Sequence, residues 1–400
     1  MRCGKEEFLR GGVEYYCPIE QVSEKATVAP RESMSLSNYL QMMVEHDASD
    51  LFFSVGAAVN IKIEGITKPI NSDLLPPGAV QVLAFSAIDE DQQKIFEETM
   101  ELNFGLSVSK VGRFRVNLYR QRGETAMVVR HIKTEIPSIE ELHLPLVLKE
   151  LVMEPRGLVL LVGATDSGKS TTLASMIDYR NTNSTGHILT IEEPIEFIHK
   201  HKKSIVDQRE VGVDTLSYAN ALKNAMREAP DVILIGEIRD RKTMQQAIAY
   251  AETGHLCLST LHANNSSQTL DRIINFFPDA ARHQLLIDLS QNLRAVVSQR
   301  LVPGISGKRV PAVEVMLRSA FVSDLIKKGD IDSLRGAIEQ AQGLGMQSFD
   351  QSLFELFQEG KISEQQALDN ADSKNNLSVK LRLASGRPAD ESFSDLTLSD

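Results

Sequence analysis

Cysteine is scarce: the 400-residue chain has three, Cys3, Cys17 and Cys257, and none stands at a CxxC or zinc-ligand spacing. That excludes a disulfide framework and a zinc ribbon, and reduced thiols in a cytoplasmic protein are expected. Long apolar runs are missing as well. No stretch approaches the roughly 18 apolar residues that a membrane-spanning helix needs. Lys5, Glu6, Glu7 and Arg10 interrupt any apolar core near the N-terminus, so no signal peptide is expected. Nor is there an excess of basic residues. The 43 Lys and Arg are outnumbered by 54 Asp and Glu, a net charge of -11, which argues against a nucleic-acid partner. What remains, 42% apolar and 24% charged, is the composition of a globular chain long enough for two or three domains.

The strongest local signal is Gly163-Ala164-Thr165-Asp166-Ser167-Gly168-Lys169-Ser170-Thr171, directly after the apolar run Leu158-Val159-Leu160-Leu161-Val162. The pattern reads as strand, phosphate cradle, then the N-terminus of a helix starting near Lys169. Glycines let backbone N–H groups turn inward onto phosphate oxygens, Lys169 supplies positive charge, and Ser170 offers a hydroxyl to Mg2+. The motif implies that the chain binds a nucleoside triphosphate.

The organisation around it is legible in coarse form. Residues 1–34 lack periodicity and read as a poorly ordered extension. Residues 35–135 carry a capped helix from Ser35 and two alternating blocks, 51–70 and 101–132, with helices between them. They read as two antiparallel hairpins in a small α+β domain. Residues 136–372 alternate strands and helices, the signature of an α/β domain with a mostly parallel sheet. Strands are expected at 188–191, 232–235 and 256–261, and a helical bundle at 320–370. Residues 373–400 are polar, Ser-rich and acidic at the end, and read as a disordered tail.

Four expected strands end in reactive or phosphate-binding groups: the P-loop, Glu192-Glu193-Pro194, Gly236-Glu237 and His262. In a parallel sheet these are carboxyl ends and converge on one edge, where open α/β sheets bind ligands. One carboxylate at a strand end is more often a cap or a surface charge; four such ends beside a P-loop reverse that balance. Phosphoryl transfer needs a positioned water, Mg2+ and positive charge. Glu237 stands where a Walker B carboxylate would act on Mg2+, and Glu192 where one would polarise water. His199 and His201 read as surface loop residues, and Arg120 and Arg122 as solvated.

The phrases Thr190-Ile-Glu-Glu-Pro-Ile-Glu196, Asp231-Val-Ile-Leu-Ile-Gly-Glu237 and Thr253-Gly-His-Leu-Cys-Leu-Ser-Thr-Leu-His262 resemble the Asp box, Walker B and His box of the secretion and type IV pilus motor ATPases. The resemblance covers roughly residues 35–370 and is greatest to the accessory members of the pilus-retraction branch. It implies a hexameric ring in which each subunit has a PAS-like N-terminal domain and a RecA-like motor domain. It also implies ATP with Mg2+, and a location in the cytoplasm, peripheral at the inner membrane. The partners implied are a PilT-type retraction ATPase and an inner-membrane platform protein. Arginines of an N-terminal domain reach the γ-phosphate in such rings. Arg115 and Arg130 match those positions, with Arg113 a third candidate, and His255 and His262 match the His box.

Two departures stand out. Asp166 replaces a customary glycine, and Glu193 a customary aspartate. A carboxylate about 5 Å from phosphate costs on the order of 1–3 kcal/mol at an effective dielectric near 20, so weakened ATP binding is expected. Asp166 also keeps alive a second class, a nucleotide-binding adaptor ring with weak or no ATPase. A third, a RecA-like nucleic-acid translocase, is disfavoured by the acidic balance.

Overall fold

The computed structural model describes residues 35–63, 65–132 and 135–384. The expectations for 1–34 and for 385–400 lie outside the described residues. Helix α1 (Leu36–Glu45) starts where Ser35 accepts the Asn38 N–H, and it buries Leu36, Tyr39, Leu40 and Met43 along one face. Strands β1 (Asp50–Phe53), β2 (Asn60–Ile63) and β3 (Ile66–Pro69) follow, then helices α2 (Ala79–Phe85) and α3 (Glu90–Thr99). Strands β4 (Glu101–Val108), β5 (Gly112–Gln121) and β6 (Glu124–Ile132) complete the unit. Alternation sends Phe114, Val116 and Leu118 of β5 into the core.

The two expected hairpins are not separate. β1 pairs antiparallel with β6, Leu51 opposite Val129, giving one sheet in the order β3-β2-β1-β6-β5-β4. Pairing removes two exposed edges and buries Leu51, Phe53, Met127 and Val129 against the helices. It also sets Arg130 opposite Asp50, with Nε 2.8 Å from Oδ1.

The second unit opens with α4 (Val147–Met153), β7 (Gly157–Val162), α5 (Lys169–Asn183), β8 (Gly186–Glu192), β9 (Ser204–Glu210) and α6 (Tyr218–Ala225). It continues with β10 (Val232–Ile235), α7 (Arg241–Glu252), β11 (Leu256–Leu261), α8 (Ser266–Asn275), α9 (Asp279–Asn292), β12 (Leu293–Pro303) and β13 (Arg309–Leu317). The sheet order is β13-β12-β7-β11-β10-β8-β9, parallel except for β13. Every residue of β7, β10 and β11 is buried, because helices cover both faces of the sheet. This is why those strands read as continuous apolar runs.

The C-terminal helices do not form one bundle. Helices α10 (Ala320–Lys328) and α11 (Leu334–Gln340) pack through Val322, Leu325, Leu334 and Ile338 into the main sheet's core. Helices α12 (Phe349–Gln358) and α13 (Glu364–Asp369) form a separate small core with Val302 and Ala312. The expected disorder from residue 373 is also corrected. Helix α14 (Lys374–Ala384) belongs to that small core, with Leu377 and Leu381 fully buried. Its segment is largely polar, so the sequence signal was weak, and only the waiting apolar surface of α12 and α13 makes it fold.

Candidate active site

β7, β8, β10 and β11 run parallel, so their carboxyl ends share one edge. There a cavity of about 500 Å3 is lined by Thr165, Asp166, Ser167, Gly168, Lys169, Ser170 and Thr171, together with Glu192, Glu237 and His262. Gly163 and Ala164 line an adjoining recess that His262 also reaches.

The loop is shaped by what its glycines avoid. A Cβ on Gly163 would lie 2.4 Å from the Gln299 carbonyl and 2.4 Å from Ser167 Oγ. One on Gly168, at φ 84°, would lie 2.7 Å from Gln299 Nε2. Gln299, on β12, braces the loop: Nε2 donates to Ser167 O at 2.8 Å, and Oε1 accepts from Thr172 Oγ1 at 2.8 Å. Asp166 holds a left-handed φ of 60°, a geometry that Asp tolerates. Arg309, from the start of β13, lines the cavity and directs NH1 to the Asp166 carbonyl at 3.4 Å. Nothing local in the sequence marks Arg309, 143 residues away, as a partner of this loop's backbone.

Lys169 Nζ donates to the carbonyls of Gly163, at 3.0 Å, and Ala164, at 2.6 Å. Burial lowers its pKa, and Glu237, Glu196 and Asp166 oppose that shift. Glu237 is held from two sides, with His262 Nε2 3.1 Å from Oε1 and Arg239 Nε 2.8 Å from Oε2. Arg239 also lies 3.4 Å from Glu193, so the two carboxylates of adjacent strand ends share one guanidinium. Glu192 is the most perturbed carboxylic acid of the site. Burial raises its pKa to about 7, while hydrogen bonds from Thr190 and Gln208 pull the other way.

Several expected residues are elsewhere. Arg115 and Arg130 do not line this cavity in their own chain. Arg130 pairs with Asp50, and Arg115 NH1 lies 4.0 Å from Glu210, at the end of β9. His255 sits at the opposite end of β11 from His262, bonded to Thr253 and Tyr250. Two readings are corrected. His199 is no surface residue: it is 9% exposed, lines the cavity, and burial lowers its pKa to about 4. Arg120 is not simply solvated, since it stacks 5.1 Å over the Phe96 ring and bonds Thr125. The cavity residues missed in the sequence, Tyr218, Arg239, Arg309 and His199, come from loops or element starts with no motif to mark them.

The donor set fits a Mg2+-triphosphate. The cradle admits no Cβ at Gly163 or Gly168 without displacing Ser167 or Gln299, and Lys169, Arg239 and Arg309 line the same cavity as Ser170 and Glu237. Among the described residues no cluster of three His, Cys, Asp or Glu side chains could cage a metal alone.

A family model described as type II/IV secretion system protein matches residues 26–320. The chain belongs to that family. It is 48% identical to the type IV pilus ATPase PilU of Pseudomonas aeruginosa over 365 residues, 91% of this chain and 95% of PilU. It is 40% identical to the PilT retraction ATPase of the same organism, over 86% of this chain and all of PilT. The crystal structure of the pilus retraction motor PilT with bound ADP superposes with a TM-score of 0.81 at 39% identity, covering 87% of this chain and all of that one. The α/β architecture of the family is therefore the architecture found here. Among the described residues, no helix is long and apolar enough to cross a membrane.

Proposed function

We infer that this chain is a pilus-retraction motor ATPase that hydrolyses ATP to ADP and phosphate, and that it acts as an accessory to a PilT-type motor. One observation carries the reading: in a chain 48% identical to PilU, Lys169, Ser170, Glu192 and Glu237 line a single cavity at the carboxyl edge of the sheet. In this reading residues 163–171 cradle the phosphates and Lys169 neutralises them. Ser170 and Glu237 would hold Mg2+, which would supply Lewis-acid charge to the triphosphate. Glu192 accepts a proton from the attacking water, and His262 positions Glu237.

Arg115 and Arg130 serve a neighbouring subunit's cavity, which accords with their lying outside their own, and the ring is a hexamer. The N-terminal unit is PAS-like and the motor unit RecA-like. The ring is cytoplasmic and works at the inner membrane against a platform protein. Asp166 supports a second reading, an adaptor ring with little turnover, although Arg309 brings positive charge to the same cavity.

Steady-state ATP hydrolysis by the purified chain beside Glu237→Ala, with light scattering on the same samples, tests both. Mg2+-dependent turnover lost in the variant, from hexamers, is the motor's expected result. No turnover above the variant from an intact ring establishes the adaptor.

A further inference from the structure

The carboxylate of Glu192 is approached unevenly. Thr190 Oγ1 donates to its Oε1 at 2.6 Å, and Gln208 Nε2 donates to the same oxygen at 3.3 Å. Thr190 and Gln208 face one another in the parallel register of β8 and β9, two positions before the strands end. The Glu196 peptide N–H makes a smaller contribution to the same carboxylate.

The Gln208 amide cannot turn over. Its Oε1 accepts the His199 N–H at 2.8 Å, and its Nε2 donates to the Phe197 carbonyl at 2.9 Å. A flip would oppose donor to donor at His199 and acceptor to acceptor at Phe197. The nitrogen therefore faces Glu192 because the chain at 197–199 compels it to.

We propose that Thr190 and Gln208 are positioning residues of hydrolysis: they commit Glu192 Oε1 and leave Oε2 as the oxygen that takes the proton of the attacking water. This rests on the reading of Glu192 as general base. In the step, the water oxygen bonds to the γ-phosphorus as its proton passes to Oε2. The bond from that phosphorus to the β–γ bridging oxygen breaks, and its electron pair leaves with ADP. The proton is then released to phosphate or solvent, restoring the carboxylate.

The two donors also set the charge state. Burial pushes the Glu192 pKa up to about 7 and both hydrogen bonds restrain it, so losing either raises it further. Lys169, Asp166, Arg239, Arg309, Glu193, Glu196, Glu237, His262 and Tyr218 line the same cavity, and substitution of Thr190 or Gln208 replaces none of them. His199 also lines it, and with a pKa near 4 it stays neutral across the neutral range.

The test is the pH profile of ATP hydrolysis by the full chain, for Thr190→Val, Thr190→Ser, Gln208→Leu and Glu192→Gln. Thr190→Val keeps the shape and removes the hydroxyl. Loss of one hydrogen bond to a charged group is expected to move the acid limb of kcat/KM up by about one pH unit. It should lower kcat severalfold with little change in KM. Thr190→Ser should restore the limb, and Gln208→Leu should behave like Thr190→Val.

An unmoved acid limb in Thr190→Val overturns the proposal, even if turnover falls. A limb moved in Thr190→Val and not in a folded Gln208→Leu overturns the Gln208 half. If Gln208→Leu does not fold, the Val and Ser pair decides. Glu192→Gln separates the two levels: full turnover in it would sink the general-base reading itself, independently of the limb in the others.

Discussion

His262 Nε2 lies 3.1 Å from Glu237 Oε1, joining the carboxyl ends of the neighbouring strands β11 and β10. Arg239 meets the other oxygen, so each oxygen of the Glu237 carboxylate has a side-chain partner that also lines the cavity. Loss of Glu237 should remove turnover by roughly a hundredfold or more, as loss of a Mg2+-directing group does. His262→Asn should reduce kcat less, on the order of tenfold, because it orients the carboxylate without replacing it. Coupled-assay kinetics beside nucleotide binding would check this, and equal losses in both would count against the ordering.

Asp166 and Arg309 should act as an opposed pair on nucleotide affinity. Asp166→Gly is expected to tighten binding by about five- to 150-fold, since a carboxylate near phosphate is worth on the order of 1–3 kcal/mol at an effective dielectric near 20. Arg309→Ala should weaken it, and the double substitution should show coupling. Titration with a fluorescent ATP analogue measures all four, and unchanged affinity in Asp166→Gly would refute the charge argument.

Gln299 should matter out of proportion to its distance from any motif. Gln299→Leu strands the Ser167 carbonyl and the Thr172 hydroxyl, at a cost of about 1–3 kcal/mol for buried unpaired groups. Thermal unfolding should report that loss, and nucleotide affinity should fall with it. A variant as stable and as tight-binding as the parent would show that the loop keeps its shape unaided.

Stability should depend on pH through Glu192. Its folded pKa of about 7 lies above the ordinary carboxylate value of 4.5, so between these the folded state holds more protons than the unfolded one. Stability is thus lost as pH rises through that window, by at most about 3 kcal/mol. Glu192→Gln removes this contribution. Its unfolding midpoint should gain on the parent as pH rises from 4.5 towards 7. A constant difference between the two curves would be evidence against the shift.

Leu381 tests the corrected C-terminus. Its side chain is fully buried in the small core with Leu377 and Phe349. Leu381→Ala should cost about 2–4 kcal/mol in that subdomain, as core truncations do. Protease susceptibility of the last helices would show it; a segment as readily cleaved before as after substitution would return it to the disordered tail first expected.

Much of the site was legible because its chemistry sits on contiguous motifs. The P-loop, the two strand-end carboxylates and His262 each follow an apolar run, and fully buried parallel strands cannot be other than apolar. The hidden contributors share a different origin. Gln299 and Thr172 are 127 residues apart, and Gln208 meets Glu192 only through strand pairing. His199 reads as a surface residue because nothing in its own loop segment signals the burial that lowers its pKa.

By itself the sequence determined the α/β motor unit, the nucleotide chemistry and the edge of the sheet at which it collects. Periodicity and strand-end motifs are local, and parallel topology turns them into one site. The tertiary structure alone decided that β1 joins β6 in a single sheet and that α14 folds onto α12 and α13. It alone decided which cations meet which carboxylates. Those outcomes depend on contacts between distant segments, whose energies exist only once the chain has brought them together.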